Sequence, residues 1–156
     1  MKARKHRPVP KLELIARLHR GLRPKLDRSQ LLDLALCHIN NLDEIAHGRA
    51  DEHIMWDWAG SVLTWSKVAE LLDIGIEEMT VQLDVAALLV ERFTRTGRVG
   101  FSGPDYQLAK TGTIIMDELA KLADRPTAIA AADWSEAMLQ GLKDQCDLER
   151  AMGLAA

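Results

Sequence analysis

Apolar residues recur along this chain at the three-and-four spacing of a helix face, and they do so in six separate segments. Leu12, Ile15, Leu18 and Leu22 predict a short helix over about 11–21. Leu31, Leu34/Ala35, Leu42 and Ile45 predict a second over 28–47. A third, over 52–74, carries Ile54, Trp58, Val62, Trp65, Val68/Ala69 and Leu72 on one side. The fourth, over 76–96, has two stripes: Ile76, Met79, Leu83, Ala86, Ala87 and Val90, then Val81, Val85, Leu88 and Leu89. A helix apolar on two sides belongs between neighbours, so this segment reads as the most buried. A fifth helix follows Ser102 and runs to about 124, and a sixth covers 128–152.

The residues between the segments support this division. Glycines close the periodic stretches at Gly48, Gly75, Gly97 and Gly153, where a left-handed C-terminal cap is favoured. Prolines fall at 8, 10, 24, 104 and 126, between segments. Asp27 with Gln30 fits a capping box, Asp51 an N-cap, and Ser102 an N-cap with Asp105 at the third helical position. No long alternation of β-branched and polar residues occurs, and no Asn-Gly or Asp-Gly hairpin turn. The pattern therefore predicts an all-α fold: a compact bundle of about six helices over 11–152, a basic arm over 1–10 and a short tail over 153–156. Short connections make the helices antiparallel neighbours.

Composition narrows the class further. The chain has 156 residues, 47% apolar and 28% charged, which is enough to build one core and too apolar for a disordered chain. Two cysteines, Cys37 and Cys146, exclude a disulfide scaffold and read as reduced thiols. No stretch approaches the ~20 apolar residues of a membrane span, and Lys11–Arg17 is too charged for a signal sequence, so a cytoplasmic protein is expected.

The net charge of −3 conceals an asymmetry. Residues 1–28 hold ten Lys and Arg against Glu13 and Asp27, and the remainder carries a net −11. A basic arm, Lys2, Arg4, Lys5 and Arg7, can neutralise phosphates or lie against its own acidic body. The split is also self-complementary, which suits a homodimer.

Five constellations carry candidate chemistry. The stretch Arg92–Pro104 holds three arginines, three glycines and two phenylalanines at a helix junction. It reads as a packed corner, with Arg95 and Arg98 as candidate nucleic-acid contacts, and it is no P-loop because no Gly-Lys-Ser/Thr follows. Glu44-x-x-His47 is half of a di-iron motif whose second half is missing, so no metal or other cofactor is expected. Trp56 and Trp58 point about 160° apart on a helix, so Trp56 either packs a second neighbour or is exposed as a partner contact. Trp134 raises the same question. The acidic run from Glu70 through Asp73, Glu77 and Glu78 to Glu91 contains no Lys or Arg and makes a candidate partner-binding face. The ending Leu154-Ala155-Ala156 resembles that of bacterial tmRNA degradation tags. No Gly-x-Ser-x-Gly or other nucleophile–base set is present, and no enzyme is expected.

Five stretches together carry a resemblance to a known group of proteins. They are Arg7-Pro8, Gly21-Leu22-Arg23-Pro24, Trp56-x-Trp58, Val68–Ile76 and Arg95–Gly103. In them the chain resembles, over about residues 4–140, small uncharacterised accessory proteins of tailed bacteriophages and prophages. Asp144–Glu149 departs from that pattern. The resemblance implies a helical accessory protein and transfers no catalytic residue. With no catalytic set, the expectation is a protein that binds a host protein or anti-phage defence complex stoichiometrically. The alternative is a DNA- or RNA-binding regulator using the arm and Arg95–Arg98.

Overall fold

A computed structural model of the chain describes residues 25–153. The expected helix over 11–21, the basic arm and the Leu154–Ala156 tail lie outside the described residues. Within them are five helices and no strand: α1 (Arg28–Ala46), α2 (Glu52–Leu72), α3 (Ile76–Thr96), α4 (Gly103–Leu122) and α5 (Arg125–Ala151). None is long and apolar enough to cross a membrane.

The helix starts are set by side-chain caps. The Asp27 carboxylate accepts the Gln30 amide at 2.9 Å, and the Gln30 carbonyl oxygen accepts the Asp27 amide at 3.0 Å, a complete capping box. Asp51 caps α2 through Ile54 N–H at 3.0 Å, and Ser102 caps α4 through Asp105 N–H at 3.2 Å. At α5 the pattern places the start too late. Asp124 is the N-cap, accepting Thr127 N–H at 2.8 Å, so Pro126 sits inside the first turn. Amides there have no acceptor within the helix, and proline loses nothing by lacking one. The α2 end also differs from expectation. Asp73 takes the left-handed conformation (φ 55°), and Gly75 (φ 71°) opens α3 instead of closing α2. Asp is among the few residues with a side chain that tolerate this region.

α2 is the central helix: it packs against each of the other four. Met55, Trp56, Trp58, Ala59, Val62, Trp65, Val68 and Ala69 are all buried. This corrects the expectation that 76–96 is the most buried segment. Only one face of α3 is covered, through Met79, Gln82, Val85, Ala86, Leu89 and Phe93, while Ile76, Val81 and Leu88 are 40–48% exposed. The second apolar stripe of α3 is split: Val85 and Leu89 are buried, while Val81 and Leu88 face outward because the central position belongs to α2.

Two of the buried polar side chains tie helices together across the core. Trp65 donates its indole N–H to His38 Nε2 at 2.8 Å, tying α2 to α1. Gln82 donates its amide to the Leu108 carbonyl at 3.0 Å, tying α3 to α4. That contact depends on Gly112, whose absent side chain leaves the space that the Gln82 side chain occupies. Gly112→Ala forces Gln82 out of place. Despite alanine's better helix propensity, the variant is expected to lose about 1–3 kcal/mol, the usual cost of overpacking, in a urea unfolding titration.

Candidate functional site

α3 and α5 both lean on α2 but touch each other only lightly, and an apolar groove of about 570 Å³ opens between them. Small residues create it. α5 approaches α2 closely near its start, where Ala131 and Ser135 are buried and the Ser135 hydroxyl lies 2.6 Å from that of Thr64. Further along, Ala59 on α2 and Ala86 and Ala87 on α3 line a trough that larger residues at these positions would narrow. Trp56 and Leu63 complete the floor, Leu83 and Val90 the α3 wall, and Leu142 and Cys146 the α5 wall.

The groove is pinned at one end. The Cys146 sulfur is 3.1 Å from the Thr94 hydroxyl. The Arg150 guanidinium lies over the Phe93 ring at 4.6 Å and 3.7 Å from a Glu52 oxygen. At the mouth stand Glu91, Arg95, Gln145 and Glu149, so an apolar interior is rimmed by charges of both signs. A volume of this size falls within the ~300–1,000 Å³ of pockets that hold ligands or partner side chains.

Trp56 is 4% exposed, so it is not a free-standing hot spot on the surface. It packs a second neighbour, the other alternative the helical wheel allows. Its N–H donates to Glu52 at 3.2 Å, and Lys143 lies 6.0 Å from its ring. Trp134 is half-exposed beneath Lys67, 5.0 Å away. Glu70, Asp73, Glu77 and Glu78 are exposed at the α2–α3 turn, with Glu70 paired to Lys67 at 3.0 Å. They stand some 14 residues along α2 from Trp56, roughly 21 Å at 1.5 Å per residue, so the structure does not gather these residues into one site. Glu77 and Glu78 occupy the first turn of α3, where they complement its dipole.

The Arg92–Pro104 stretch is a packed corner. Arg92 donates to the Gly100 carbonyl at 2.7 Å and reaches Asp105 at 3.8 Å, and Phe101 meets Trp58 edge to face at 5.2 Å. The N-terminus of α4 already holds the Asp105 carboxylate, which a phosphate would have to face. Of the predicted contacts, Arg95 is exposed at the groove mouth and Arg98 is exposed in the loop. Lys2, Arg4, Lys5 and Arg7 lie outside the described residues. Glu44 and His47 do not converge on a common point. Arg49 binds Glu44 at 2.9 Å and Asp43 at 2.7 Å, while His47 Nδ1 is 2.8 Å from the Asp43 carbonyl. Among the described residues no cluster of three His, Cys, Asp or Glu is placed to hold a metal ion.

Among the described residues, His38 is the buried titratable group whose pKa lies far from its usual value. Burial lowers its pKa from 6.5 to about 4, against a weaker upward pull from Asp117. Because Nε2 accepts from Trp65, the neutral ring carries its proton on Nδ1, for which no partner is found among the described residues.

Fold and site define a small helical bundle arranged around one central helix, with an open apolar groove between two of its outer helices. No family model matches the chain, and comparison with curated proteins and with solved structures gave no match.

Proposed function

We propose that this chain is a non-enzymatic binding protein that holds a segment of another protein in the α2–α3–α5 groove. The observation that carries the reading is the groove itself: an apolar trough walled by two helices and rimmed by Glu91, Arg95 and Glu149. Such a trough suits an amphipathic helix, whose apolar row enters while its flanks meet the charged rim. The resemblance to phage accessory proteins adds that the partner is a host protein or a component of a defence complex, bound stoichiometrically in the bacterial cytoplasm. The nucleic-acid alternative rests on the arm and on Arg95 and Arg98, and the carboxylate at the α4 N-terminus counts against the Arg92–Pro104 corner as a phosphate site.

Ala87 tests this reading because it lines the groove while remaining exposed, so a larger side chain there need not disturb the core. Ala87→Arg is expected to leave the unfolding midpoint unchanged and to abolish recovery of the protein that wild-type chain retains from nuclease-treated bacterial lysate. Equal recovery by both proteins, or loss of the captured species on nuclease treatment, would reject the groove as the binding surface.

A further inference from the structure

We propose that residues 11–22 of this same chain dock as an antiparallel helix on the exposed face of α1 that carries Leu32, Leu36 and Ile39. These three residues are spaced four and three apart, so they fall on one line along the helix. They remain 57%, 46% and 50% exposed, whereas the core face of the same helix buries His38, Leu42 and Ile45. α1 therefore has a second apolar face that none of the described helices covers.

The chain's own geometry selects the occupant. Residue 25, where the described chain begins, is fixed in place: Lys25 bridges to Asp124 and donates its ammonium to the Leu122 carbonyl at 2.6 Å. Leu122, exposed, lies at the same corner. The capping box then sets the direction in which the chain enters α1. Only Arg23–Asp27 separate Leu22 from α1, the length of a connection between antiparallel helices, and Pro24 disfavours a helix running through it. Folding back about that connection sets Leu22 opposite Leu32, Leu18 opposite Leu36 and Ile15 opposite Ile39. The stretch from 11 to 22 and the stretch from Leu32 to Asp43 each rise roughly 16 Å as helix, so the two rows match in length.

Charge agrees with the pairing. Residues 11–23 hold Lys11, Arg17, Arg20 and Arg23 against Glu13, while α1 offers the exposed Asp33 beside Leu32, its Asp43 and Glu44 being already engaged by Arg49. A second copy's segment is disfavoured at micromolar concentration, because a five-residue tether holds the chain's own segment at an effective concentration near millimolar. The α2–α3–α5 groove is a poorer seat for it. Leu142, the first residue of α5 to line that groove, lies roughly 27 Å along the helix from Asp124, so a segment tethered at Lys25 leaves Leu18 and Leu22 outside.

The test uses the full chain with Cys37→Ser, Ile15→Cys and Ile39→Cys, at micromolar concentration under mild oxidation, read by peptide mass mapping. The expected product is a monomer with a 15–39 disulfide. A disulfide between position 15 and the native Cys146, which lines the groove, would place the segment there and overturn the proposal, as would covalent dimers joined through position 15. A second measurement guards against unfavourable disulfide geometry. In the Cys37→Ser, Ile39→Cys chain, maleimide labelling of position 39 is expected to accelerate at least tenfold when Leu18→Asp and Leu22→Asp are added. Equal rates would overturn the proposal.

Discussion

Replacing Trp58 by alanine is expected to lower the unfolding free energy by about 3–5 kcal/mol, a large fraction of the ~5–15 kcal/mol that holds a typical domain together. Trp58 is fully buried on the central helix and meets Phe101 edge to face at 5.2 Å. Alanine removes that contact and leaves a void against a helix that every other helix touches. Trp58→Phe separates the packing from the polar group. The indole N–H finds no acceptor among the described residues, and an unpaired buried donor costs about 1–3 kcal/mol. Phenylalanine keeps a ring against Phe101 and removes that donor, so its loss is expected to be less than half that of alanine. Urea titrations followed by far-ultraviolet circular dichroism read both variants without relying on tryptophan emission.

The second large effect is with pH. In the unfolded chain His38 titrates near 6.5, whereas in the fold burial holds it near 4. Between those values the unfolded state binds the extra proton, so stability falls as pH drops. The loss is negligible above about pH 6.5, grows through the interval, and reaches about 3 kcal/mol by pH 4, at 1.36 kcal/mol per unit. His38→Gln keeps an acceptor for the Trp65 indole but has no ring to protonate. It is expected to unfold with a flatter dependence between pH 7 and 5 than the wild-type chain. The same slope in both proteins would show that another group governs the acid limb.

The all-α class and the order of the described helices were legible because helix punctuation is written in local chemistry. Asp27 with Gln30, Asp51 and Ser102 with Asp105 cap the helices they were expected to cap. What was not legible depends on three-dimensional neighbours. Two apolar stripes made 76–96 look central, yet a one-helix pattern cannot say how many neighbours a helix has, and that place belongs to α2. His38 fills the gap in its own helix's stripe between Leu34 and Leu42, so its burial could have been read from position. Gln82 likewise lies one turn from Met79, and its acceptance in the core depends on Gly112, thirty residues on.

The groove was missed for the same reason. Its main signal is an excess of small residues, Ala59, Ala86 and Ala87, and small residues on helices more often mark close packing than a gap. Both occur here: Ala131 and Ser135 bring α5 onto α2, and the seam then opens toward Cys146. Trp56 belongs to this region, while the acidic face proposed with it stands at the far end of α2.

A photo-crosslinking amino acid placed at position 87 and, separately, at position 114 tests the central claim most directly. Ile114 is 67% exposed on α4 and does not line the groove, so it serves as the comparison. After illumination in bacterial cells, position 87 should yield a covalent adduct with one discrete protein and position 114 should not. Adducts from position 114 alone, the same adducts from both positions, or none from position 87 would contradict the groove as the place where this protein binds.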